Sequence, residues 1–355
     1  MQKKIDPWGS CDVKDYDKAM KEFGIEKLER FPKRNILFDT GFVFGHKNIR
    51  AVLKAVQEKK RFAMMTGLMP SGPMHLGHAL VVEQMKFFQE LGAECYVASA
   101  DIEAYLTRGL KRDELAKISE DYFLTYIALG LKADKCRFYY QSSGSQEYMN
   151  LSKFLAKKIT FNEMKAIYGE LSPAKIVSAL TQVADILHPQ LKENGGACPV
   201  IVPVGLDQLP HINLTGDLAY RFREEYGFVK ISATFQKLLP GLQGGKMSSS
   251  QPNSAIFFSD GGDVVRKKII GAMTGGRKSV EEQKKKGGSP EICPVYAYHL
   301  LFNNSSSGKI YEKCKKGELM CGECKKELAN VLVKFVGDIQ DRKKKAKNEL
   351  GKYFR

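Results

Sequence analysis

Short apolar runs and amphipathic segments alternate through the middle of the chain. Four runs predict buried strands, because each is brief, apolar and bounded by turn-forming residues. Two segments between them, residues 75–91 and 112–131, carry apolar side chains at helical spacing and predict helices. This alternation predicts an α/β protein with a parallel sheet and helices on both of its faces. The predicted strands are residues 62–66, 95–98, 137–140 and 199–204.

Two departures from this alternation divide the chain. Residues from about 141 to 190 are predicted to be largely helical, and they interrupt the alternation as an insertion would. After Asp260 the strand pattern ends, and residues 327–335 and 341–350 are helical in pattern. We therefore predict an N-terminal segment packed on an α/β domain, followed by an all-helical C-terminal domain. Their predicted bounds are 1–49, 50–260 and 261–355.

The positive charge of the chain is concentrated in the predicted helical domain. The 355 residues contain 56 Lys and Arg against 40 Asp and Glu, a net charge of +16. Residues 261–355 hold 22 basic and 11 acidic residues, so +11 of that charge lies in about a quarter of the chain. A basic excess of this size favours a polyanionic partner, with nucleic acid first, over a protein that is merely basic.

Other features of the composition predict the cellular setting. No run of about 18 apolar residues predicts a membrane span, and residues 1–9 lack the apolar core of a secretory signal. We therefore predict a cytoplasmic protein whose eight cysteines are free thiols. Cys314, Cys321 and Cys324 form a C-x6-C-x2-C pattern, with Cys293 as a possible fourth zinc ligand. Their loose spacing favours packing or free thiols, so no metal site is predicted.

The loop after the first predicted strand carries the first chemical signal. Residues 70–78 read Pro-Ser-Gly-Pro-Met-His-Leu-Gly-His and lead into a predicted helix. Backbone N–H groups and the helix dipole form an anion site at such a helix start. Gly77 lets a nucleotide approach the backbone closely. His75 and His78 can donate hydrogen bonds to phosphate oxygens as charge builds in a transition state.

A second glycine-rich loop, residues 244–250, follows about 170 residues later and reads Gly-Gly-Lys-Met-Ser-Ser-Ser. Lys246 on a flexible loop, followed by three hydroxyls, is suited to holding a triphosphate and moving with it. Either loop alone is a weak signal, because such sequences are common. The two loops at this separation indicate a nucleotide site.

The two loops resemble the His-Ile-Gly-His and Lys-Met-Ser-Lys-Ser motifs of class I aminoacyl-tRNA synthetases. Over nearly the whole chain the sequence is more narrowly similar to tryptophanyl-tRNA synthetases of the archaeal and eukaryotic type. Residues 205–210 and 274–277 are the segments most specific for this branch. The resemblance implies a Rossmann-type catalytic domain with a helical insertion, and an anticodon-binding domain at 261–355. It also implies a homodimer that uses ATP, magnesium, L-tryptophan and tRNA(Trp).

The resemblance further implies roles for individual residues. His75 and His78 act in catalysis together with Lys246, which holds the pyrophosphate of ATP. Asp207 approaches the ATP ribose, and Gln208 the amino end of the substrate. The other residues implied to bind ATP are Pro70, Ser71, Gly72, Gly77, Gly205, Met247, Ser248, Ser249 and Ser250. The residues predicted to bind the amino acid are Met65, Gly67, Ala98, Glu103, Gln182, Asp185 and Gln208.

The residues expected around the indole N–H differ from those of this family. Eukaryotic members place a tyrosine and a glutamine around it, and the matching residues here are Met65 and Ala98, which accept hydrogen bonds poorly. A buried N–H without an acceptor costs about 1–3 kcal/mol, so another acceptor is expected. Asp185 is the candidate, because it follows Gln182 by three residues and shares its face of a predicted helix. The alternative is that Asp185 lies on a helix surface outside the pocket.

The predicted reaction has two steps. The amino-acid carboxylate attacks the α-phosphorus of ATP, and the tRNA terminal hydroxyl then takes the acyl group. A tyrosyl-tRNA synthetase is the close alternative, because Asp185 could also hold a phenol. A non-catalytic RNA-binding protein on a synthetase scaffold and a small-molecule adenylyltransferase are alternatives from other classes. The two intact loops argue against the first of these, and the basic helical tail argues against the second.

Overall fold

A six-stranded sheet with the order β1-β6-β5-β2-β3-β4 organises the computed structural model, which describes residues 15–245, 247 and 251–354. Strand β1 is antiparallel to β6, and every other pair in the sheet is parallel. The strands are β1 (Val43–Lys47), β2 (Ala63–Leu68), β3 (Glu94–Ser99), β4 (Cys136–Tyr140), β5 (Val200–Gly205) and β6 (Ser232–Gln236).

Four of these strands, β2 to β5, confirm the predicted ones to within two residues. Strands β1 and β6 were not predicted from the sequence. The sequence of β6 contains no apolar run, because several of its buried side chains are polar and are paired inside the protein. The Thr234 hydroxyl donates to Oε1 of Gln84 at 2.9 Å, and Gln84 in turn bonds Gln236. Strand β1 lies within the segment 1–49, so that segment contributes to the sheet itself.

The helices surround the sheet in the order that the sequence predicted. Helix α4 begins at Leu76, and helix α6 ends three residues before its predicted end, ahead of Gly130 with a φ of 105°. The helices up to the insertion are α1 (Tyr16–Phe23), α2 (Ile36–Asp39), α3 (Arg50–Gln57), α4 (Leu76–Glu90), α5 (Asp101–Arg108) and α6 (Arg112–Ala128). Those from the insertion to β6 are α7 (Gln146–Phe154), α8 (Phe161–Tyr168), α9 (Pro173–Leu187), α10 (Leu209–Arg221) and α11 (Arg223–Tyr226).

Within the described residues after 260, the regular elements are all helical, as predicted. They are α12 (Gly262–Ile270), α13 (Val280–Lys286), α14 (Pro294–Phe302), α15 (Asn304–Lys315) and α16 (Cys321–Ala346), with short 3-10 turns. No helix in the described part of the chain is long and apolar enough to cross a membrane.

The C-terminal helices share a hydrophobic core with one face of the sheet. Helix α16 packs against α12 and α6, and its Leu332 belongs to the same buried cluster as Phe138 of β4. Tyr353 stacks on Phe138 at 4.5 Å between ring centroids and donates its hydroxyl to the Leu131 carbonyl at 2.7 Å. The two parts therefore bury apolar surface against each other. The other face of the sheet packs on the helices of the insertion.

Candidate active site

A cavity of about 290 Å³ lies at the ends of β2 and β5, the point from which successive strands are added toward opposite edges of the sheet. Neighbouring strands β2 and β5 run in parallel, but β2 leads on to β3 and β4 while β5 leads to β6 on the opposite side. A crevice opens at the carboxyl ends of the strands at such a point, and α/β proteins bind ligands there. Leu68 ends β2 and Gly205 ends β5, and both line the cavity.

His75 and His78 are held in one arrangement at the start of α4. His75 is the N-cap of the helix, and its Nδ1 accepts the Gly77 N–H at 3.2 Å. The His75 N–H donates to Nδ1 of His78 at 3.1 Å, and the two ring centroids are 3.9 Å apart. Both Nδ1 atoms accept, so in a neutral ring the proton sits on Nε2. Burial lowers the pKa of His78 to about 4, so this ring is neutral at physiological pH and offers an Nε2–H donor.

The loop before α4 is fixed by a tyrosine. The Tyr122 hydroxyl on α6 donates to the Gly72 carbonyl at 2.6 Å, and burial raises the pKa of this phenol, so it remains a donor. Pro70 is buried and Ser71 is exposed. The loop therefore presents a polar edge over the start of the helix.

Backbone hydrogen bonds join the first glycine-rich loop to the segment that follows the second. The Leu76 N–H donates to the Ile256 carbonyl at 3.0 Å, and the Phe258 N–H donates to the Met74 carbonyl at the same distance. The segment that follows the second loop thus pairs with the segment that enters α4. The sequence gives no sign of this pairing, because the partners are about 180 residues apart.

Gly77 and Met247 are in direct contact across the two loops. A β-carbon at Gly77 would lie 2.8 Å from Cε of Met247, so the end of the methionine side chain would have to shift for any larger residue. Met247 is buried, and its sulfur accepts the Tyr298 hydroxyl at 3.4 Å. Of the predicted site residues, Lys246, Ser248, Ser249 and Ser250 lie outside the described residues.

Glu103 and Gln182 meet at the cavity, as the predicted binding of an amino group requires. The Gln182 side chain donates to Oε2 of Glu103 at 2.6 Å, and Glu103 is only 5% exposed. Gln141 accepts the Glu103 N–H at 3.3 Å and fixes the start of α5. A buried carboxylate beside an amide oxygen suits an ammonium group.

Asp185 lies in the cavity wall and is 3% exposed, which excludes the alternative of a helix-surface residue. Its Oδ1 accepts the hydroxyls of Tyr139 at 2.9 Å and Tyr148 at 2.7 Å, and its Oδ2 accepts the Gln141 amide at 2.7 Å. Burial raises the pKa of Asp185 to about 7, against the lowering effect of these three donors. The carboxyl group therefore titrates near physiological pH.

Sequence reasoning missed the residues that hold Asp185. Tyr139 and Gln141 come at the carboxyl end of the third predicted strand, and Tyr148 lies on α7. Ligand sites are expected at the carboxyl ends of parallel strands, and this rule could have identified Tyr139 and Gln141. Nothing in the local pattern indicated Tyr148. His211, which bonds the Tyr168 hydroxyl at 2.8 Å, also lines the cavity.

The remaining predicted residues divide between the cavity and its surroundings. Met65, Gly67 and Gln208 line the cavity. Ala98 is buried beside Gly67, where a β-carbon at Gly67 would be 3.5 Å from its own, and it is not a lining residue. Gln208 donates to Oδ2 of Asp207 at 3.0 Å. The structure thus brings Met65, Gly67, Glu103, Gln182, Asp185, Gly205 and Gln208 together around the cavity.

Comparison with known proteins gives close relatives over almost the full chain. Residues 57–337 match the family described as tRNA synthetases class I (W and Y). The tryptophan–tRNA ligase of Aeropyrum pernix is 43% identical over 97% of this chain and 96% of its own length. That of Methanocaldococcus jannaschii is 41% identical over 97% and 96%. The crystal structure of the A. pernix tryptophanyl-tRNA synthetase matches with a TM-score of 0.92 at 42% identity and covers 99% of both chains.

Proposed function

The chain belongs to the class I tryptophanyl-tRNA synthetases, and from this premise we propose how its residues join tryptophan to tRNA(Trp). It is an enzyme of protein biosynthesis, a tryptophan–tRNA ligase that uses ATP. The observation that carries the proposed mechanism is that α4, which begins at the two histidines, also lines the cavity at the switch point of the sheet through Val81.

We propose that ATP binds along residues 70–78, with its phosphates at the start of α4. The tryptophan carboxylate attacks the α-phosphorus in line, which forms the tryptophanyl-adenylate and releases pyrophosphate. The Nε2–H groups of His75 and His78 donate to phosphate oxygens as negative charge builds. Asp207 binds the ATP ribose, and Lys246 draws the leaving pyrophosphate. Gly77 and Gly205 allow the nucleotide to approach the backbone.

No side chain acts as an obligate general base in this step, because a carboxylate is already the nucleophile. Catalysis consists of positioning and of stabilising charge. Magnesium enters as part of the substrate MgATP. Triphosphate oxygens and water would supply its ligands.

We propose that the amino acid is held at both ends in the cavity. Glu103, Gln182 and Gln208 bind its ammonium group, and Asp185 accepts the indole N–H through its second oxygen. Oδ2 of Asp185 accepts a hydrogen bond from Gln141, and a carboxylate oxygen can accept two. Met65 is unbranched and adaptable, and together with Gly67 it leaves apolar room for a two-ring side chain.

In the second step the terminal ribose hydroxyl of tRNA(Trp) takes the acyl group. We propose that the basic helical part, residues 261–355, binds the anticodon region, since it carries +11 of the net charge. Because the substrates ATP and tRNA are cytoplasmic, we place the enzyme there.

We also propose that the enzyme is a homodimer. Large apolar side chains are exposed on helices of the insertion and its neighbour α10, with Phe154 at 51%, Phe161 at 57% and Tyr220 at 66%. Helix α10 contacts α8, and exposed apolar side chains of this size on adjoining elements are typical of an interaction surface. Molar mass by light scattering tests this proposal, and a monomer at micromolar concentration would overturn it.

Pyrophosphate exchange with each standard amino acid tests the proposed activity directly. Exchange with tryptophan alone is expected. Exchange driven by tyrosine and not by tryptophan would overturn the substrate. Absence of exchange with every amino acid, in a folded protein that binds tRNA, would favour the non-catalytic alternative.

A further inference from the structure

A chain of three buried polar side chains leads from β6 through α4 to the wall of the cavity. The Thr234 hydroxyl is fully buried and donates to Oε1 of Gln84 at 2.9 Å. The Gln84 amide, which is also fully buried, donates through its Nε2 to Oε1 of Gln236. Each donor therefore fixes the direction in which the next amide points.

This direction determines which polar group remains on Gln236. The single hydrogen of the Thr234 hydroxyl goes to Oε1 of Gln84, which leaves the N–H2 end of Gln84 for its other neighbour. Oε1 of Gln236 receives that N–H, so Gln236 keeps two hydrogens on its own amide nitrogen. None of the hydrogen bonds between described residues uses these two hydrogens. Gln236 is 9% exposed and lines the cavity, so a ligand in the cavity can accept from it.

The contact with Gln84 places Gln236 on the nucleotide side of the cavity. Helix α4 packs on one face of the sheet, and α9, which carries Gln182, packs on the other. The two histidines of the proposed ATP site stand at the start of α4. Val81, one turn after His78, lines the cavity, and Gln84 follows one turn later. The amide of Gln236 therefore belongs to the face that carries the proposed ATP site.

The end of the neighbouring strand indicates which part of ATP lies there. Gly205 of β5 pairs with Gln236 in the parallel register, and Asp207 comes two residues after Gly205. The ends of the two strands thus bring a carboxylate and an amide donor to one edge of the sheet. A nucleoside fits both groups, because its ribose hydroxyls donate to a carboxylate, while its ribose oxygens and base nitrogens accept from an amide.

We propose, on the basis of the ATP site described above, that Gln236 binds the nucleoside part of ATP through its amide N–H2. Gln84 and Thr234 are positioning residues that aim this donor. Because the donor is held in place before ATP arrives, little side-chain freedom is lost on binding. The nucleoside keeps its structure while the α-phosphorus reacts, so this contact strengthens ATP binding without changing the rate of the chemical step.

Equilibrium binding of ATP and of AMP to the full chain, measured by calorimetry, tests the assignment. Gln236→Met preserves the length of the side chain and removes its donor. The Kd for both nucleotides is expected to rise about 2- to 12-fold, the usual contribution of one neutral hydrogen bond. Unchanged Kd values would overturn the proposal. So would a rise for ATP alone, which would place the donor at the outer phosphates, or a rise for tryptophan in place of the nucleotides.

Pyrophosphate exchange separates the binding residue from its positioning residues. In Gln236→Met the KM for ATP is expected to rise by the same factor while kcat is unchanged. Gln84→Met is expected to raise this KM less, and the double variant no more than Gln236→Met alone, because Gln84 acts through Gln236. Effects that add in the double variant would overturn the positioning role.

Gln190→Met is the matched control. Gln190 is also buried, and its amide pairs with the Val229 backbone at 3.2 and 2.8 Å, so its loss reports a structural effect alone. An equal rise in the KM for ATP in this variant would overturn the assignment of Gln236. An unaltered protein that binds ATP but shows no exchange with tryptophan would instead contradict the proposed function.

Discussion

The His75 N–H donates to Nδ1 of His78 at 3.1 Å, so the backbone of one histidine selects the protonated nitrogen of the other. His75 is held in the same way by the Gly77 N–H. The Nε2–H group of the neutral His78 can therefore act as a donor without any change of protonation. Preorganised donors of this kind act on a transition state at little reorganisation cost.

We expect His78→Asn to lower the rate of adenylate formation about 10²–10³-fold, the usual cost of one such donor. The Asn side-chain oxygen can still accept the His75 N–H, so the helix start is preserved while the Nε2–H donor is removed. Single-turnover adenylate formation is the measurement. His46→Asn, a buried histidine in β1, is the control. An unaltered rate in a folded His78→Asn protein would contradict the assignment of His78 as a transition-state donor.

Asp185 makes tryptophan binding depend on pH. Burial raises its pKa to about 7, above its ordinary value of about 3.9. The folded protein thus binds this proton more tightly than the unfolded chain, so the stability due to this group is lost as the pH rises from about 4 to about 7. The carboxylate that forms is the better acceptor. The KM for tryptophan is therefore expected to fall as the pH rises through about 7.

Asp185→Asn is expected to remove that pH dependence and to raise the KM for tryptophan. Loss of one buried acceptor costs about 1–3 kcal/mol, or roughly 5- to 150-fold. The KM for ATP stays unchanged, and the exposed Asp217→Asn is the matched control. Pyrophosphate exchange at a series of pH values gives both constants. An unchanged KM for tryptophan would contradict the role of Asp185 but would leave tryptophan as the substrate.

Lys246 is expected to act more on the transition state than on ground-state binding, because it follows two glycines in the sequence. Lys246→Ala should lower kcat by a larger factor than it raises the KM for ATP. Lys267→Ala, on the exposed side of α12, should change neither. A pure KM effect would mean that the lysine only binds ATP.

Charge reversal at the end of α13 tests the proposed tRNA surface. Lys284, Lys285 and Lys286 are exposed, and Lys286 pairs with Glu282 at 3.0 Å. If the three lysines neutralise phosphates, their replacement by Glu raises the KM for tRNA. The slope of log KM against log salt concentration then falls by about one for each phosphate that loses its lysine. The same change at the exposed Lys18 and Lys21 is the control. Unchanged KM and salt slope would assign the α13 lysines to a solvated face.

Charge reversal is preferred to truncation after Asp260 for a structural reason. Leu332 and Tyr353 belong to the core that covers Phe138 of the sheet. Removal of the helical part would expose this core, so a loss of aminoacylation would not distinguish tRNA binding from unfolding.

The sequence by itself determined the elements that a local pattern specifies. Strands β2 to β5 are apolar runs, and α4 follows a turn that contains His75 and Gly77. Such features depend on the burial of neighbouring residues along the chain, so their period is visible in the sequence. The same locality identified both glycine-rich loops and, through their resemblance to known motifs, the family.

Only the tertiary structure decided which distant side chains meet. Asp185 was a candidate on its own helix, but Tyr139 and Tyr148 reach it from β4 and α7 in a buried setting that raises its pKa despite their hydrogen bonds. Cys293 joins Cys321 because α14 packs on α16. Strand β6 was hidden because its buried polar residues find partners on other elements. Partners of this kind are chosen by packing across the whole fold, and packing leaves no periodic trace in the sequence.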